Sequence, residues 1–288
     1  MTRPYAEVIG DPIAHSKSPL IHNFWLGKLG IDAEYRACHV RPDELEDYFT
    51  RRRGDAEWRG CNVTVPHKIS SLEFVDETAD DARLIGATNC IVHDGPQLRA
   101  WNTDSAGFAE PLDRLMPAAS AQLGAAYVIG SGGAARAAAH ALLQRNWLLT
   151  FVARNRDAAR EIADDLSSGS SEHVATMAFE QFQALVLDSW LDRPQPPIQI
   201  VVNATPMGMA DFSVLPFRIG SVMPGTIVYD MVYSPLETQL LADARTSGLP
   251  TIDGLQMLIG QASEAFKLFF GQPAPREHDA ELRALLTA

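Results

Sequence analysis

Ala126-Tyr127-Val128-Ile129-Gly130-Ser131-Gly132-Gly133-Ala134-Ala135-Arg136 is the stretch on which the fold turns. Residues of buried-strand character run straight into G-x-G-x-x-A, and an alanine-rich helical stretch continues to Arg145. Glycines at a strand-to-helix junction permit a tight turn and let a pyrophosphate approach the first amides of the helix. The spacing alone carries little, but Leu148-Leu149-Thr150-Phe151-Val152 supplies a second strand and completes a βαβ unit. The residue after that strand selects the dinucleotide, since a carboxylate accepts ribose hydroxyls whereas an arginine pairs with an added phosphate. Ala153-Arg154-Asn155-Arg156 stands there, which predicts NADP held in part by Arg154. Asp157 is assigned to capping the helix that follows.

Downstream, strands are expected at 174–178, 198–204, 227–231 and 250–252, and helices at 255–270 and 277–286. The 209–223 stretch is loop-like, and 167–171 reads as a serine-rich loop. Upstream, 117–124 is a linker of small residues, and before it the texture changes. A first strand over 5–9 closes at Gly10, and Ser18-Pro19 suits a helix start, with Ser18 as cap and Gly30 as stop. Ser16 and Ser18, beside helix amides and a strand end, equally suit a carboxylate. A strand over 33–40, a polar helix over 42–53 and a helical segment near 78–84 follow, and Asp94-Gly95 marks a hairpin between 89–93 and 97–101.

Gly60-Cys61-Asn62-Val63-Thr64-Val65-Pro66-His67-Lys68 reads either as a surface strand and turn with a solvated lysine or as a stretch that presents a reacting group. A β-prone run through Val65 meets Pro66, so the chain turns and leaves Lys68 just past a strand end, where open α/β sheets present reacting groups. Asn62 and Thr64, two apart, point to one side. Asp104, at the start of a helix reaching about Leu115, suits either a cap or a site residue, and Gln261 is a polar residue in an otherwise apolar helix.

The bulk numbers bound the class. At roughly 150 residues per domain, 288 residues suggest two domains with ample core. A net charge of −12, with no basic run longer than Arg51-Arg52-Arg53, argues against nucleic acid and anionic membrane as partners. The 3 cysteines form no C-x-x-C pair, and Cys38-His39 is an adjacent pair on a strand, so neither a disulfide framework nor a metal site is expected. No signal peptide is evident at the N-terminus, and no apolar run approaches the ~20 residues of a membrane span, so a reduced, cytoplasmic enzyme fits.

In order, Gly10-Asp11-Pro12-Ile13-Ala14-His15-Ser16-Lys17-Ser18-Pro19 with His22-Asn23, the 60–68 stretch, Gly86-Ala87-Thr88-Asn89, Asn102-Thr103-Asp104, the glycine loop, Asn203-Ala204-Thr205, Asp230-Met231-Val232-Tyr233-Ser234-Pro235 and Met257-Leu258 with Gln261 make a specific set. The chain resembles the shikimate dehydrogenase family across nearly its full length. The resemblance implies an α/β fold with a substrate domain over 1–104 plus 255–288, whose C-terminal helices pack back on it, and a Rossmann domain over 105–254. It implies NADP-linked, reversible reduction of 3-dehydroshikimate to shikimate in aromatic amino-acid (chorismate) biosynthesis, with both ligands in a cleft and the protein a monomer or homodimer. By the same carry-over, Ser16 and Ser18 hold the substrate carboxylate, while Asn62, Thr64, Lys68, Asn89, Asp104 and Gln261 contact its hydroxyls and Tyr233 lies nearby. Gly130, Gly132, Gly133, Ala134, Arg136, Arg154, Asn155, Thr205 and Gly254 bind the cofactor. Ala153, Asn155, Cys90 and Ala262 depart from the common family pattern, whereas Arg154, Ser18 and Thr64 keep it, which favours NADP and shikimate over quinate.

Hydride addition to a ketone leaves charge on oxygen, which calls for a proton donor; a free lysine is already the acid at neutral pH. Lys68 as acid, oriented by Asp104, is the expected pair. Two rivals stand beside it: methylene-tetrahydrofolate dehydrogenase, disfavoured because Thr64 occupies the place of its tyrosine four before the lysine, and a non-catalytic ligand sensor on the same fold.

Overall fold

The computed structural model describes residues 3–95, 97–116, 124–167, 174–187, 199–219, 222 and 224–288. The linker expected at 117–124 and the loop at 167–171 lie almost wholly outside these. In chain order the elements are β1 (Tyr5–Gly10), α1 (Ser18–Leu29), β2 (Glu34–His39), α2 (Leu45–Arg53), β3 (Trp58–Val63), β4 (Glu77–Thr78), α3 (Asp80–Ile85), β5 (Cys90–Asp94), β6 (Gln97–Trp101) and α4 (Asp104–Leu115). There follow β7 (Ala125–Ile129), α5 (Gly133–Leu143), β8 (Leu148–Val152), α6 (Arg156–Ser167), β9 (Val174–Met177), α7 (Phe179–Leu187), β10 (Gln199–Asn203), β11 (Ile227–Asp230), α8 (Gln239–Thr246), β12 (Thr251–Ile252), α9 (Gly254–Phe270) and α10 (Asp279–Thr287). The chain divides into one unit of Met1–Gly107 with Ile259–Ala288, and another of Phe108–Leu258.

The first unit is built on a mixed sheet ordered β2-β1-β3-β5-β6-β4. Strands β2, β1 and β3 run parallel, and β5 pairs antiparallel with both β3 and β6. One face packs on Leu45, Tyr48 and Phe49 of α2. The other meets aromatic side chains of α1 and α9, with His22, Trp25, Tyr35, Phe266 and Phe269 in ring contact. Between Tyr5 and Ala6 the register against β3 slips from Trp58 to Gly60, a bulge at Arg59. Trp58 and Cys61, three apart, therefore share the α2 face, and Asn62 is turned to the opposite one. Gly60 makes this possible: its φ is +144°, and a Cβ there would sit 2.3 Å from the Ile91 carbonyl oxygen.

Within β1, Glu7 is buried although charged. Its carboxylate accepts hydrogen bonds from the Tyr48 hydroxyl at 2.9 Å, from Arg52 at 2.8 and 3.0 Å and from Arg36 at 2.9 Å, so burial is matched by donors. The C-terminal helix α10 docks against α1, where Glu281 pairs with Lys28 at 2.7 Å and the Leu286 carbonyl accepts from Lys17.

The second unit has a fully parallel sheet ordered β12-β11-β10-β7-β8-β9. Helices α4, α5 and α6 cover one face through residues such as Phe108, Ala138, Leu142 and Ile162, and α7 and α8 cover the other through Phe182, Leu240 and Leu241. Strand order reverses at β7, so the loops after β7 and β10 flank the switch point of a doubly wound sheet.

Several local expectations need correction. The third strand ends at Val63 rather than Val65, because Thr64 already starts a turn closed by the His67 amide on its carbonyl. Ser18 is the first residue of α1 and does not cap it; its own amide donates to Ser16 Oγ at 3.3 Å. Asn155, not Asp157, caps α6, its Oδ1 accepting from the amides of Asp157 and Ala158 at 3.1 and 3.2 Å. Strand β4 and helices α7 and α8 were not read from the sequence; α8 is capped by Thr238, whose hydroxyl accepts from the Leu241 amide.

Candidate active site

In the first unit, the ends of β1 and β3, the turn after β3, the start of β5 and the start of α4 converge. Lys68 sits in that turn, held from both sides. The His67 ring is buried with Nε2 2.6 Å from the Val40 carbonyl, and the Lys68 carbonyl accepts from the Thr88 amide at 2.7 Å. This places Lys68 Nζ 2.5 Å from Asp104 Oδ2, with side chains only 16% and 7% exposed. Asp104 does not cap its helix. Its amide donates to Asn102 Oδ1 at 3.1 Å, leaving both carboxylate oxygens to side chains.

Asn89 ties the rest together. Its Nδ2 faces Asp104 Oδ1 and Thr103 Oγ1 at 2.9 Å and Gln261 Oε1 at 3.3 Å, while its Oδ1 accepts from the Thr103 amide at 2.7 Å. The Asn89 carbonyl accepts from the Val63 amide at 2.8 Å and from Asn62 Nδ2 at 3.0 Å. Thus Lys68, Asp104, Asn89, Asn62 and Gln261 form one hydrogen-bonded constellation, although 62 and 261 are far apart in sequence. Thr64 adjoins it at the β3 end, its methyl 2.5 Å from where a Cβ on Gly10 would lie. Ser16 and Ser18 follow that same β1 end, and the Ser18 hydroxyl makes no hydrogen bond among the described residues.

In the second unit, Gly130 has φ +118°, and a Cβ there would lie 3.0 Å from the Thr205 methyl. Gly132 precedes α5 with nothing within 4 Å of its Cβ position, and no side chain of its own caps the first amides of the helix. Thr205 is fixed by Asn203, whose Oδ1 accepts from its amide and hydroxyl at 3.1 and 2.7 Å. Arg154 is exposed past the end of β8. Arg136 is paired with Asp165 of α6 at 2.9 Å. Asn155 spends its carbonyl on the α6 cap. Tyr233 follows β11, and Gly254 opens α9 so close to that loop that a Cβ would lie 2.3 Å from the Met231 carbonyl oxygen. Among the described residues, no group of three or more His, Cys, Asp or Glu is placed to hold a metal ion.

Comparison with known proteins bears on what this geometry serves. The family model of the shikimate dehydrogenase substrate binding domain matches residues 8–91, and that of the shikimate 5'-dehydrogenase C-terminal domain matches 254–281. Shikimate dehydrogenase (NADP(+)) of Sphingopyxis alaskensis is 45% identical over 287 residues, which cover 99% of this chain and 97% of that protein. The chain belongs to the shikimate dehydrogenase family. Solved structures agree: a shikimate dehydrogenase in complex with NADP+ superposes with a TM-score of 0.86 at 29% identity, covering 99% of this chain and 96% of that one. The shikimate 5-dehydrogenase of Thermus thermophilus in complex with NADP(H) and shikimate gives 0.82 at 29% identity, covering 98% and 99%.

For a member of this family, the sequence reading missed three supporting groups. Thr103 lies inside a quoted motif, yet nothing local told that its hydroxyl and amide would both serve Asn89. His67 is next to Lys68 but its buried ring reaches the Val40 carbonyl just past β2. Tyr35 carries no motif at all, and its hydroxyl donates to Asn62 Oδ1 at 2.7 Å.

Proposed function

We infer that this chain catalyses the reversible, NADP-linked reduction of 3-dehydroshikimate to shikimate, a step of aromatic amino-acid biosynthesis. The observation that carries the reading is the Lys68–Asp104 pair, buried beside Asn89, Asn62 and Gln261. A ketone gaining hydride needs a positioned acid, and a polyhydroxylated ring needs a fixed set of donors and acceptors.

The cofactor fits this chain's residues. An open glycine loop leads into the amide end of α5, and the β8 strand end bears exposed Arg154 between Ala153 and Asn155, a cation where a 2'-phosphate requires one. NADPH, when bound, supplies the hydride. Gly130, Gly132, Gly133, Ala134 and Thr205 would line the pyrophosphate, Arg154 the adenosine phosphate, and Gly254 and Tyr233 the nicotinamide end. Arg136 and Asn155 belong to the same cofactor set; Arg136 pairs with Asp165 here, and Asn155 Oδ1 caps α6.

On the substrate side, Ser16 and Ser18 hold the carboxylate, and Asn62, Thr64, Asn89 and Gln261 the hydroxyls. Lys68 donates its ammonium proton to the nascent alkoxide. Asp104, in hydrogen-bond contact with the lysine, keeps it aimed and accepts from a substrate hydroxyl. In shikimate oxidation Lys68 must first release that proton. The substrate domain comprises the first unit and the NADP domain the second; residence in the cytoplasm and a monomer or homodimer belong to the same reading. The test is kcat/KM for shikimate and for quinate with NADP and with NAD. The shikimate–NADP pair should lead; no NADP reduction with shikimate overturns the reading.

A further inference from the structure

The His22-Asn23 pair and the buried Tyr35 have no part in the chemistry above, yet all of them converge on one substrate-side amide. Asn62 is 5% exposed, and its side chain is gripped at both ends. Its Nδ2 donates to the Asn89 carbonyl at 3.0 Å, and its Oδ1 accepts from the Tyr35 hydroxyl at 2.7 Å. An amide nitrogen has two hydrogens, so one N–H remains to be offered outward. A donor at one end and an acceptor at the other define which way the amide lies.

Tyr35 is itself held on every side. Asn23 clasps its backbone, Nδ2 donating to the Tyr35 carbonyl at 2.6 Å and Oδ1 accepting from its amide at 2.9 Å. The His22 ring stacks on the phenol at 4.0 Å with planes 4° apart. His22 is completely buried, and neither ring nitrogen has a hydrogen-bond partner among the described residues. A buried imidazole without partners is an expensive way to fill space, since its polar atoms lose their hydration. What it does provide is a flat face against Tyr35, with Phe269 tilted against the same phenol at 6.2 Å.

We propose that Tyr35 is a positioning residue that fixes the Asn62 amide so that it presents an N–H to a substrate oxygen, and that His22 and Asn23 serve to hold Tyr35. The inference rests on the shikimate reading of the site and adds the direction of one contact within it. Without the hydroxyl, Asn62 keeps a single anchor, and its carbonyl becomes a buried acceptor free to turn toward a substrate hydroxyl.

The test is a double-mutant cycle on the full chain with shikimate and NADP, with thermal unfolding measured alongside. Tyr35→Phe keeps the ring and its stack. It should raise KM for shikimate about tenfold, leave kcat within about threefold and KM for NADP within about twofold, and add less than about twofold when placed in Asn62→Ala. An unchanged KM for shikimate, or the same rise in the Asn62→Ala background, overturns the proposal. His22→Ala keeps the hydroxyl and removes the stacked face, so it carries the test should Tyr35→Phe not fold. Its KM for shikimate should rise about threefold and that rise too should vanish beside Asn62→Ala; no rise overturns the role. A wild-type chain without shikimate activity refutes the underlying reading and the inference with it, a result told apart because it appears before any substitution.

Discussion

Lys68 Nζ and Asp104 Oδ2 stand 2.5 Å apart across two elements that the sequence separates by a strand hairpin. The pair is buried enough that bulk water screens it little, and Asn89 holds the other carboxylate oxygen at 2.9 Å. Removing the lysine should therefore remove a proton donor. Lys68→Ala is expected to lower kcat by about 10²–10⁴-fold with KM for shikimate changed far less, the range for a general acid. A variant with normal kcat and only a raised KM would make Lys68 a binding group.

Cofactor choice is expected to rest on Arg154. A charge-assisted bond to phosphate is worth about 1.5–3 kcal/mol, so Arg154→Asp should cut the NADP-to-NAD ratio of kcat/KM by about 10–100-fold. Measuring both cofactors at fixed shikimate checks it, and an unchanged ratio would reassign the phosphate site.

Gly60 and Gly27 should respond oppositely to alanine. At Gly60 the positive φ and the 2.3 Å approach to the Ile91 carbonyl leave no room, so Gly60→Ala should cost at least about 2 kcal/mol in urea unfolding. It should also disturb shikimate binding, since the bulge directs Asn62. Gly27 lies within α1 with nothing near its Cβ position, so Gly27→Ala should stabilise by about 0.5–1 kcal/mol.

Asp230, at the end of β11, has its carboxyl pushed up to about 6 by burial, against the opposing hydrogen bonds from Thr238, the Val232 amide and Asn203. Between the ordinary 3.8 and about 6 the native state holds a proton that the unfolded chain has released. Its contribution to stability is thus complete below about pH 4 and lost as pH rises through 6. Relative to Asp230→Asn, in which other titrations are shared, the wild type should lose about 2 kcal/mol between about pH 4.5 and 7.5. Equal pH profiles for the two proteins in urea unfolding would contradict this.

How much of this was legible depends on the range of each interaction. Helix stops such as Gly30, the hairpin at Asp94-Gly95 and the strand-to-helix glycine loop are local, and the structure has them where the residues point. Ser18 and Asp157 are equally local but misleading, because a cap is decided by the φ and ψ of one residue, and Lys17 and Asn155 took those positions. Helix α8 does carry a local signal, Thr238 as its cap and Gly248 just past its end, which the sequence reading did not use.

By itself the sequence determined the α/β plan and the dinucleotide loop, because turn geometry and chemical type reside in a few adjacent residues; Lys68, Asp104 and Asn89 stood out only through the ordered set of motifs that resembles the family. Only the tertiary structure decided that Asn62 faces Tyr35 rather than α2, that Thr103 and Gln261 meet on Asn89, and that Arg136 is taken up by Asp165. The physical reason is register. A single bulged residue at Arg59 exchanges the two faces of β3, and hydrogen bonds across scores of residues exist only once strands and helices have chosen their neighbours.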